Sequence, residues 1–370
     1  MSSIEKFPLI CISGPPFERG KQYGRQAGKQ IATGIDIYRD AFATAGIDWP
    51  AAMRLASNFT AKIAAYDMAF MQEIQGIAAG SEQSVEAIVA LNARTEVIFW
   101  HDNEKQRQST TAVNIQEGCT ALAALPAVTA DGHLLHAQNW DWNPRCEASS
   151  IVLKIASEEG PDILTFVEAG QLARHGMNSA GIGLTVNGLQ CNLDCGHIGI
   201  PNPLIRRRLL SSPTLAGALG TVLNADISFS HNLMLSHKEG AVISLEATPE
   251  ETFWLYPQEG IMSHANHFKC PVARTKLTDI GLLRCPESLY RDSRVREHLM
   301  AERGAINIAT VKTALADTFG TPDAVLRMPK ARPGGNISAT VATEIMDTTA
   351  GSLWIAPSPY KDIRFTEYSL

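Results

Sequence analysis

No apolar run in this 370-residue chain reaches the ~18 residues that a membrane-spanning helix needs. A membrane partner is therefore not expected. Long basic blocks are missing too. Lys and Arg number 32 against 38 Asp and Glu, a net charge of −6, so nucleic acid is not an expected partner either. Cysteine is sparse: seven, scattered without dense spacing. That odd count suits a reducing compartment better than a disulfide scaffold. The opening MSSIEKFPLICISGPP has too short an apolar stretch for a secretory signal, and an acid within it. Tyr368-Ser369-Leu370 lacks the basic middle residue of a peroxisomal address. Cytoplasmic residence is the expectation these absences leave. Repeats, low-complexity tracts and Pro/Gly-rich linkers are also lacking. What is present, 45% hydrophobic and 19% charged, is an ordinary globular composition.

The first hundred residues read as helical. Apolar residues recur at helical spacing over Glu18–Ala43, Ala51–Ala79 and Val85–Trp100, with Ser84 as a cap for the last. Residues 101–117 turn polar, the signature of an exposed loop. Then the period changes. Cys119–Val128 and His133–Trp140 flank Asp131-Gly132, a hairpin signal. Ile151–Ala156 and Ile163–Val167 read as a second hairpin, Phe229–His237 and Ala241–Glu246 as a third, Thr252–Tyr256 and Ile261–Ala265 as a fourth. Ile205–Asn224, Glu287–Glu302 and Ile306–Ala316 are helical, and Val341–Met346 and Ser352–Ala356 close the chain as strands. Hairpins in series argue for antiparallel sheets covered by helices, an α+β architecture.

The segment from Gly118 to Trp142 carries the chemistry. A cysteine at a chain terminus has its own base, the α-amine, whose ordinary pKa of ~8 lies close to neutral. Making that terminus inside a chain requires the thiol to attack the carbonyl before it. Gly118, without a Cβ, leaves that carbonyl open. The other reading of Gly118–Cys119 is a turn and a buried thiol. Asp141 ends the return strand of the same hairpin, which antiparallel pairing brings back beside Cys119. It reads as a partner for the new amine or as a solvated strand-end acid. Trp140 and Trp142 alternate with it and belong on the opposite face. Cys191 and Cys195, followed by His197, form the one close cysteine group; a second pair for zinc is lacking, so loop or core thiols are expected.

These residues resemble a known family. The pattern EGCTAL…GHLLHAQNWDW is similar to the heart of the acyl-coenzyme A:6-aminopenicillanic acid (isopenicillin N) acyltransferase family. Those proteins are N-terminal nucleophile (Ntn) hydrolases, related to choloylglycine hydrolases, penicillin V acylases and acid ceramidase. Phe17-Glu18-Arg19-Gly20…Tyr23-Gly24 resembles the family's opening helix. Glu73–Ala78 and Leu91–Glu96 resemble its signatures ahead of the cut. Gly176-Met177-Asn178…Gly181-Ile182-Gly183…Asn187 and Ser263–Phe268 resemble segments after it.

The resemblance implies a four-layer αββα sandwich, with the chain cut between Gly118 and Cys119. Residues 1–118 would form an α chain and 119–370 a β chain, associated as one domain. It also implies roles: Cys119 as nucleophile and base, Asp141 as partner of the new terminus, Asn266 as oxyanion donor. Asn187 is a second donor or an exposed strand-end amide. An arginine near the nucleophile is implied as well. Arg327, in Val325–Pro329, fits the acyltransferase C-terminal motif, although the Cys-Arg-His-like run of relatives is lacking. Arg291 and Arg294 correspond to the arginine of the choloylglycine branch or lie on a solvated helix face. Glu117 stands where many relatives have Asp.

The expected function is hydrolysis of a small amide through a Cys119 thioester, without metal or organic cofactor. Acyl-coenzyme A-dependent acyl transfer is the alternative, and no segment resembles a dedicated coenzyme A phosphate-binding loop. An uncleaved binding protein is the rival from another class. Self-association into a homo-oligomer is left open.

Overall fold

Two β-sheets lie face to face, and helices cover the outer side of each. The computed structural model describes residues 5–99, 118–331 and 337–370. The first sheet has eight strands, in the order β1 (Leu9–Ser13), β4 (Ser150–Ala156), β5 (Ile163–Glu168), β6 (His175–Asn178), β7 (Ile182–Gly188), β8 (His231–His237), β9 (Ala241–Ala247) and β10 (Thr252–Leu255). The second runs β11 (Ile261–His264), β2 (Gly118–Ala124), β3 (Leu135–Trp142), β13 (Ile337–Asp347), β14 (Ser352–Pro357) and β15 (Thr366–Ser369), with the short β12 (Lys330–Ala331) on β13. Every pairing among these strands is antiparallel except β1 with β4.

Strand β2 shows why the layers stack as they do. Every residue of GCTALAA is buried, so the strand has two apolar faces, not one wet and one dry. Ala121 and Ala123 pack with Met234 and Val242 of the first sheet. Leu122 and Ala124 pack with Val295, Leu299, Val311 and Leu315, which belong to the helices Ser288–Ala301 and Ile308–Leu315. The outer side of the first sheet is covered by the N-terminal helices, whose Ile31, Ile35 and Leu91 share a core with Ile151, Phe166 and Val167. The result is the αββα sandwich that the resemblance implies.

Several long helical segments divide. Glu18–Ala43 splits into α1 (Pro16–Gln26) and α2 (Gly28–Thr44) at Ala27, which leaves helical geometry at φ −109°, ψ 15°. Glycines at 20, 24 and 28 make a continuous helix weak there. Ala51–Ala79 splits into α3 (Trp49–Tyr66) and α4 (Met68–Ser81), because Asp67 turns out of the helix and caps α4 through Ala69 N. Val85–Trp100 begins as α5 (Val85–Asn92) and resumes over 94–99; Trp100 and the polar stretch 101–117 lie outside the described residues. Ile205–Asn224 becomes α6 (Asn202–Leu210) and α7 (Leu215–Leu223), with Pro213 between them and Thr214 capping the second. Helices α1 and α4 cross in backbone contact. A Cβ on Gly20, Gly24, Gly76 or Gly80 would overlap the backbone carbonyl of the opposite helix.

Two strand expectations need correction. Leu9–Ser13 is a strand inside the stretch that reads as helical. The fourth hairpin does not form either. β10 pairs with β9 in the first sheet, whereas β11 pairs with β2 in the second. β10 is half-exposed, as suits a sheet edge, while IMSH of β11 is buried on both faces. The chain changes sheets across residues 256–260. The other three hairpins form, with the β2–β3 strands drawn back from their turn by a short 3₁₀ segment at Pro126–Val128.

Candidate active site

Gly118 opens β2 and pairs with Asp141; Cys119 pairs with Trp140. Side chains alternate along each strand, so Trp140 and Trp142 face away from Asp141. The guanidinium of Arg174 lies 3.6 Å over the Trp140 ring, and Trp142 Nε1 donates to Tyr38 OH at 3.1 Å. Cys119 is buried, at 2% exposure.

Asp141 is fully buried on the helical side of the second sheet. Its Oδ1 accepts from Thr340 Oγ1 at 2.7 Å, and its Oδ2 lies 3.4 Å from Arg327 Nε. Oδ2 has no hydrogen bond among the described residues. Burial pushes the carboxyl above the usual aspartate value, although Arg327 and Arg291 pull it back. Gly118 fits tightly here. A Cβ at that position would stand 2.9 Å from Asp141 Oδ2 and 3.0 Å from the Arg327 guanidinium.

Asn266 follows β11 and reaches the other side of the same peptide unit. Its Oδ1 accepts from Cys119 N at 2.9 Å and from Arg291 Nη2 at 2.8 Å. Its Nδ2 donates to Gly188 O at 2.9 Å, which uses one of the two N–H groups of the carboxamide. Asn187 sits beside that acceptor on β7. It is fully buried, not an exposed strand-end amide: Nδ2 donates to His264 O at 3.2 Å, and Oδ1 accepts from Asn232 Nδ2 at 3.1 Å.

The arginines separate. Arg291 is fully buried, so a solvated helix face does not describe it. Its Nη1 donates to Cys119 O and to Thr120 Oγ1, each at 2.8 Å. Arg294, on the same helix, is 34% exposed; it pairs with Asp317 at 2.6 Å and lies over Phe319. Arg327 is fully buried between Asp141 and Glu287, donating to Glu287 Oε1 at 2.8 Å. Two guanidinium groups and two carboxylates thus share one buried site, in which Arg327 meets both carboxylates and Arg291 meets neutral oxygens.

Three neighbours escaped the sequence reading: Glu287, Ser288 and Thr340. Glu287 and Ser288 follow Pro286 at a helix start, a recognisable boundary. Nothing in the sequence marked their contacts with Arg327 and Asn266. Thr340 carries no signal at all. Glu117 lies outside the described residues. The Cys191 group does not converge: the Cys191 thiol meets Asp194 and Ser230, while His197 faces Asp226. Among the described residues, the one cluster with metal-ligand groups is Asp131, His133 and Asp347, at the turn end of the β2–β3 hairpin. No described helix is long and apolar enough to cross a membrane.

Comparison with known proteins adds to this geometry. The pattern of the family described as acyl-coenzyme A:6-aminopenicillanic acid acyl-transferase matches residues 128–357. That span holds Asp141, Asn187, Asn266, Arg291 and Arg327, and begins after Cys119. The chain is 28% identical over 222 residues to the acyl-coenzyme A:6-aminopenicillanic-acid-acyltransferase 40 kDa form of Emericella nidulans. That alignment covers 58% of this chain and 56% of the relative, so little more than half of either protein is matched. Among solved structures, a mutant conjugated bile acid hydrolase from Clostridium perfringens is similar at TM-score 0.49 and 15% identity, covering 68% of this chain and 92% of that one. Penicillin V acylase from Agrobacterium tumefaciens is similar at TM-score 0.45 and 15% identity, covering 67% and 84%.

Proposed function

The chain belongs to the acyl-coenzyme A:6-aminopenicillanic acid acyl-transferase family, and from that premise we propose that it cuts itself between Gly118 and Cys119 to become an amide hydrolase with an N-terminal cysteine. One observation carries the reading. The nitrogen that the cut would turn into an α-amine is already held by Asn266, 2.9 Å away, on a peptide unit flanked by Asp141, Arg291 and Arg327.

In the first reaction Cys119 Sγ attacks the Gly118 carbonyl carbon. The C–N bond breaks, the nitrogen takes the proton, and a Gly118–Cys119 thioester remains. Water hydrolyses it, leaving a Gly118 carboxylate and a Cys119 that carries its thiol and a new amine. In turnover the amine takes the thiol proton, and the thiolate attacks a small amide. The remaining N–H of Asn266 Nδ2 stabilises the oxyanion without permanently neutralising the nucleophile. The leaving amine departs with the proton, and water resolves the thioester. Asp141 accepts from the α-amine and holds it in place.

The two fragments would stay together. Arg94 pairs with Glu168 at 2.8 Å, Tyr38 OH donates to Glu168 at 2.5 Å, and Arg207 pairs with Glu73 at 2.9 Å. Each of these pairs joins a residue before the cut to one after it, in a buried setting.

Acyl transfer from a coenzyme A thioester is the second reading, favoured by the activity for which the fungal relative is named. Hydrolysis stands ahead of it because water is always at hand, whereas transfer needs a second bound substrate. Intact mass tests the cut. Cleaved protein should give two fragments, and Cys119→Ala should give one species near 40.1 kDa with no turnover. Splitting of Cys119→Ala at residue 118, or a wild type that stays whole on long incubation, would overturn the proposal. Weighing the acyl group trapped on Cys119 would identify the substrate.

A further inference from the structure

The helix that starts at Ser288 grips Asn266 at two points. Ser288 is fully buried, and its Oγ lies 2.7 Å from Asn266 N and 2.7 Å from His267 Nδ1. One turn along, Arg291 holds Oδ1 of the same asparagine at 2.8 Å. A backbone N–H can only donate, so Ser288 Oγ accepts from Asn266. The hydroxyl has one proton of its own, and His267 Nδ1 is placed to take it. That requires a neutral imidazole with its proton on Nε2. Burial, and then His264, pushes His267 down to about 3, so the neutral ring prevails at working pH. Only the first direction is fixed by chemistry, Asn266 donating to Ser288; in the tautomer with its proton on Nε2, His267 accepts from Ser288 in turn.

Asn266 needs such a hold. It lies beyond the end of β11, outside any strand ladder. We propose that Ser288 and His267 are a positioning pair that fixes the main chain at Asn266 and thereby aims its carboxamide at the developing oxyanion. This rests on the reading in which Asn266 is the oxyanion donor. Arg291, Cys119 N and Gly188 O hold the carboxamide of Asn266, whereas Ser288 holds its main-chain N–H. Without the Ser288 oxygen the buried Asn266 N–H would lose its acceptor, and the segment would turn to find another.

The test compares full-length wild type, Ser288→Ala, His267→Phe and His267→Asn. Asparagine at 267 offers an Oδ1 close to where Nδ1 stood. Two rates are followed: cleavage at Gly118–Cys119 on denaturing gels and, once cleavage is complete, kcat and KM on p-nitrophenyl acetate. Both reactions pass through an oxyanion. Ser288→Ala and His267→Phe should lower the cleavage rate and kcat by about 10- to 100-fold, the scale of a misplaced catalytic group, with KM little changed. His267→Asn should recover most of the loss. A purely structural role would reduce the yield of folded protein but not kcat per folded molecule. Wild-type kcat in Ser288→Ala, a loss confined to KM, or His267→Asn no better than His267→Phe would each overturn the pairing. If Ser288→Ala fails to fold, the two His267 variants decide. A wild type that neither cleaves nor turns over the ester refutes the parent reading instead, and the pairing falls with it.

Discussion

Asp141 faces Gly118 across the β2–β3 ladder, its Oδ2 2.9 Å from where a side chain on residue 118 would begin. Residue 118 is therefore a steric probe of the site. Gly118→Ala should slow cleavage, and Gly118→Val should stop it, because the added carbons displace Asp141 and Arg327. Overpacking of this kind costs about 1–3 kcal/mol. Densitometry of the two fragments over time would measure it. Wild-type cleavage in Gly118→Val would refute the steric argument.

The charge on Asp141 gives a pH signature. Burial raises its pKa, so the fold favours the neutral acid. That contribution to stability is present below the ordinary aspartate value and is lost as pH rises through the raised one. Holding the α-amine needs the ionised form. The turnover rate should thus climb with pH around a midpoint above the ordinary aspartate value. Asp141→Asn should melt no lower than wild type at neutral pH yet lose activity. A variant that is active but unstable would contradict both halves.

Glu168 lies between Arg94 and Arg174, at 2.8 and 3.2 Å. Glu168→Ala leaves two buried guanidinium groups without their carboxylate. The cost should be about 3–5 kcal/mol, as for other broken buried pairs. Urea unfolding would show it. Cleaved protein should also lose its N-terminal fragment on gel filtration. Equal stability of wild type and variant would mean that the Arg94–Glu168 pair does not tie the fragments.

Glu344 and His175 share a hydrogen bond of 2.9 Å between the sheets. Burial raises Glu344 to about 8 and holds His175 well below its usual value. A raised acid loses its stabilising contribution as pH climbs towards the folded value. His175 opposes that trend only below its ordinary value of 6.5. Because Glu344→Gln keeps His175, wild type should lose stability relative to it between about pH 4.5 and 8 and level off above. Parallel stability curves across that window would show that Glu344 is ionised throughout.

Strong local signals made much of the fold readable. Asp131-Gly132 marked the hairpin that carries Cys119 and Asp141, and the period of two placed Trp140 and Trp142 opposite Asp141. The failures have two causes, local helix breakers that were read past and tertiary context. The Asp67 cap and Pro213 divided segments whose apolar spacing looked continuous. Whether IMSH pairs with its neighbour in sequence or with β2 depends on which surface can cover both its faces. Cys119, Asp141 and Asn266 stood out by type and by resemblance. Arg291 was named but stood out no more than Arg294, because SLYRDSRVREHLMA carries charges around the helix. Only the docking of that helix on β2 selects Arg291 for burial and leaves Arg294 to Asp317.

Gly118 fills the terminal rung of β2, the one opposite Asp141. A cut after it would empty that rung while β2 stays clamped between β3 and β11. The vacancy would open beside the new amine, walled by Asp141 and Arg327 and sized by the residue that left. Self-cleavage would then do two things in one event: it would unmask a nucleophile and cast the mould of its own entrance.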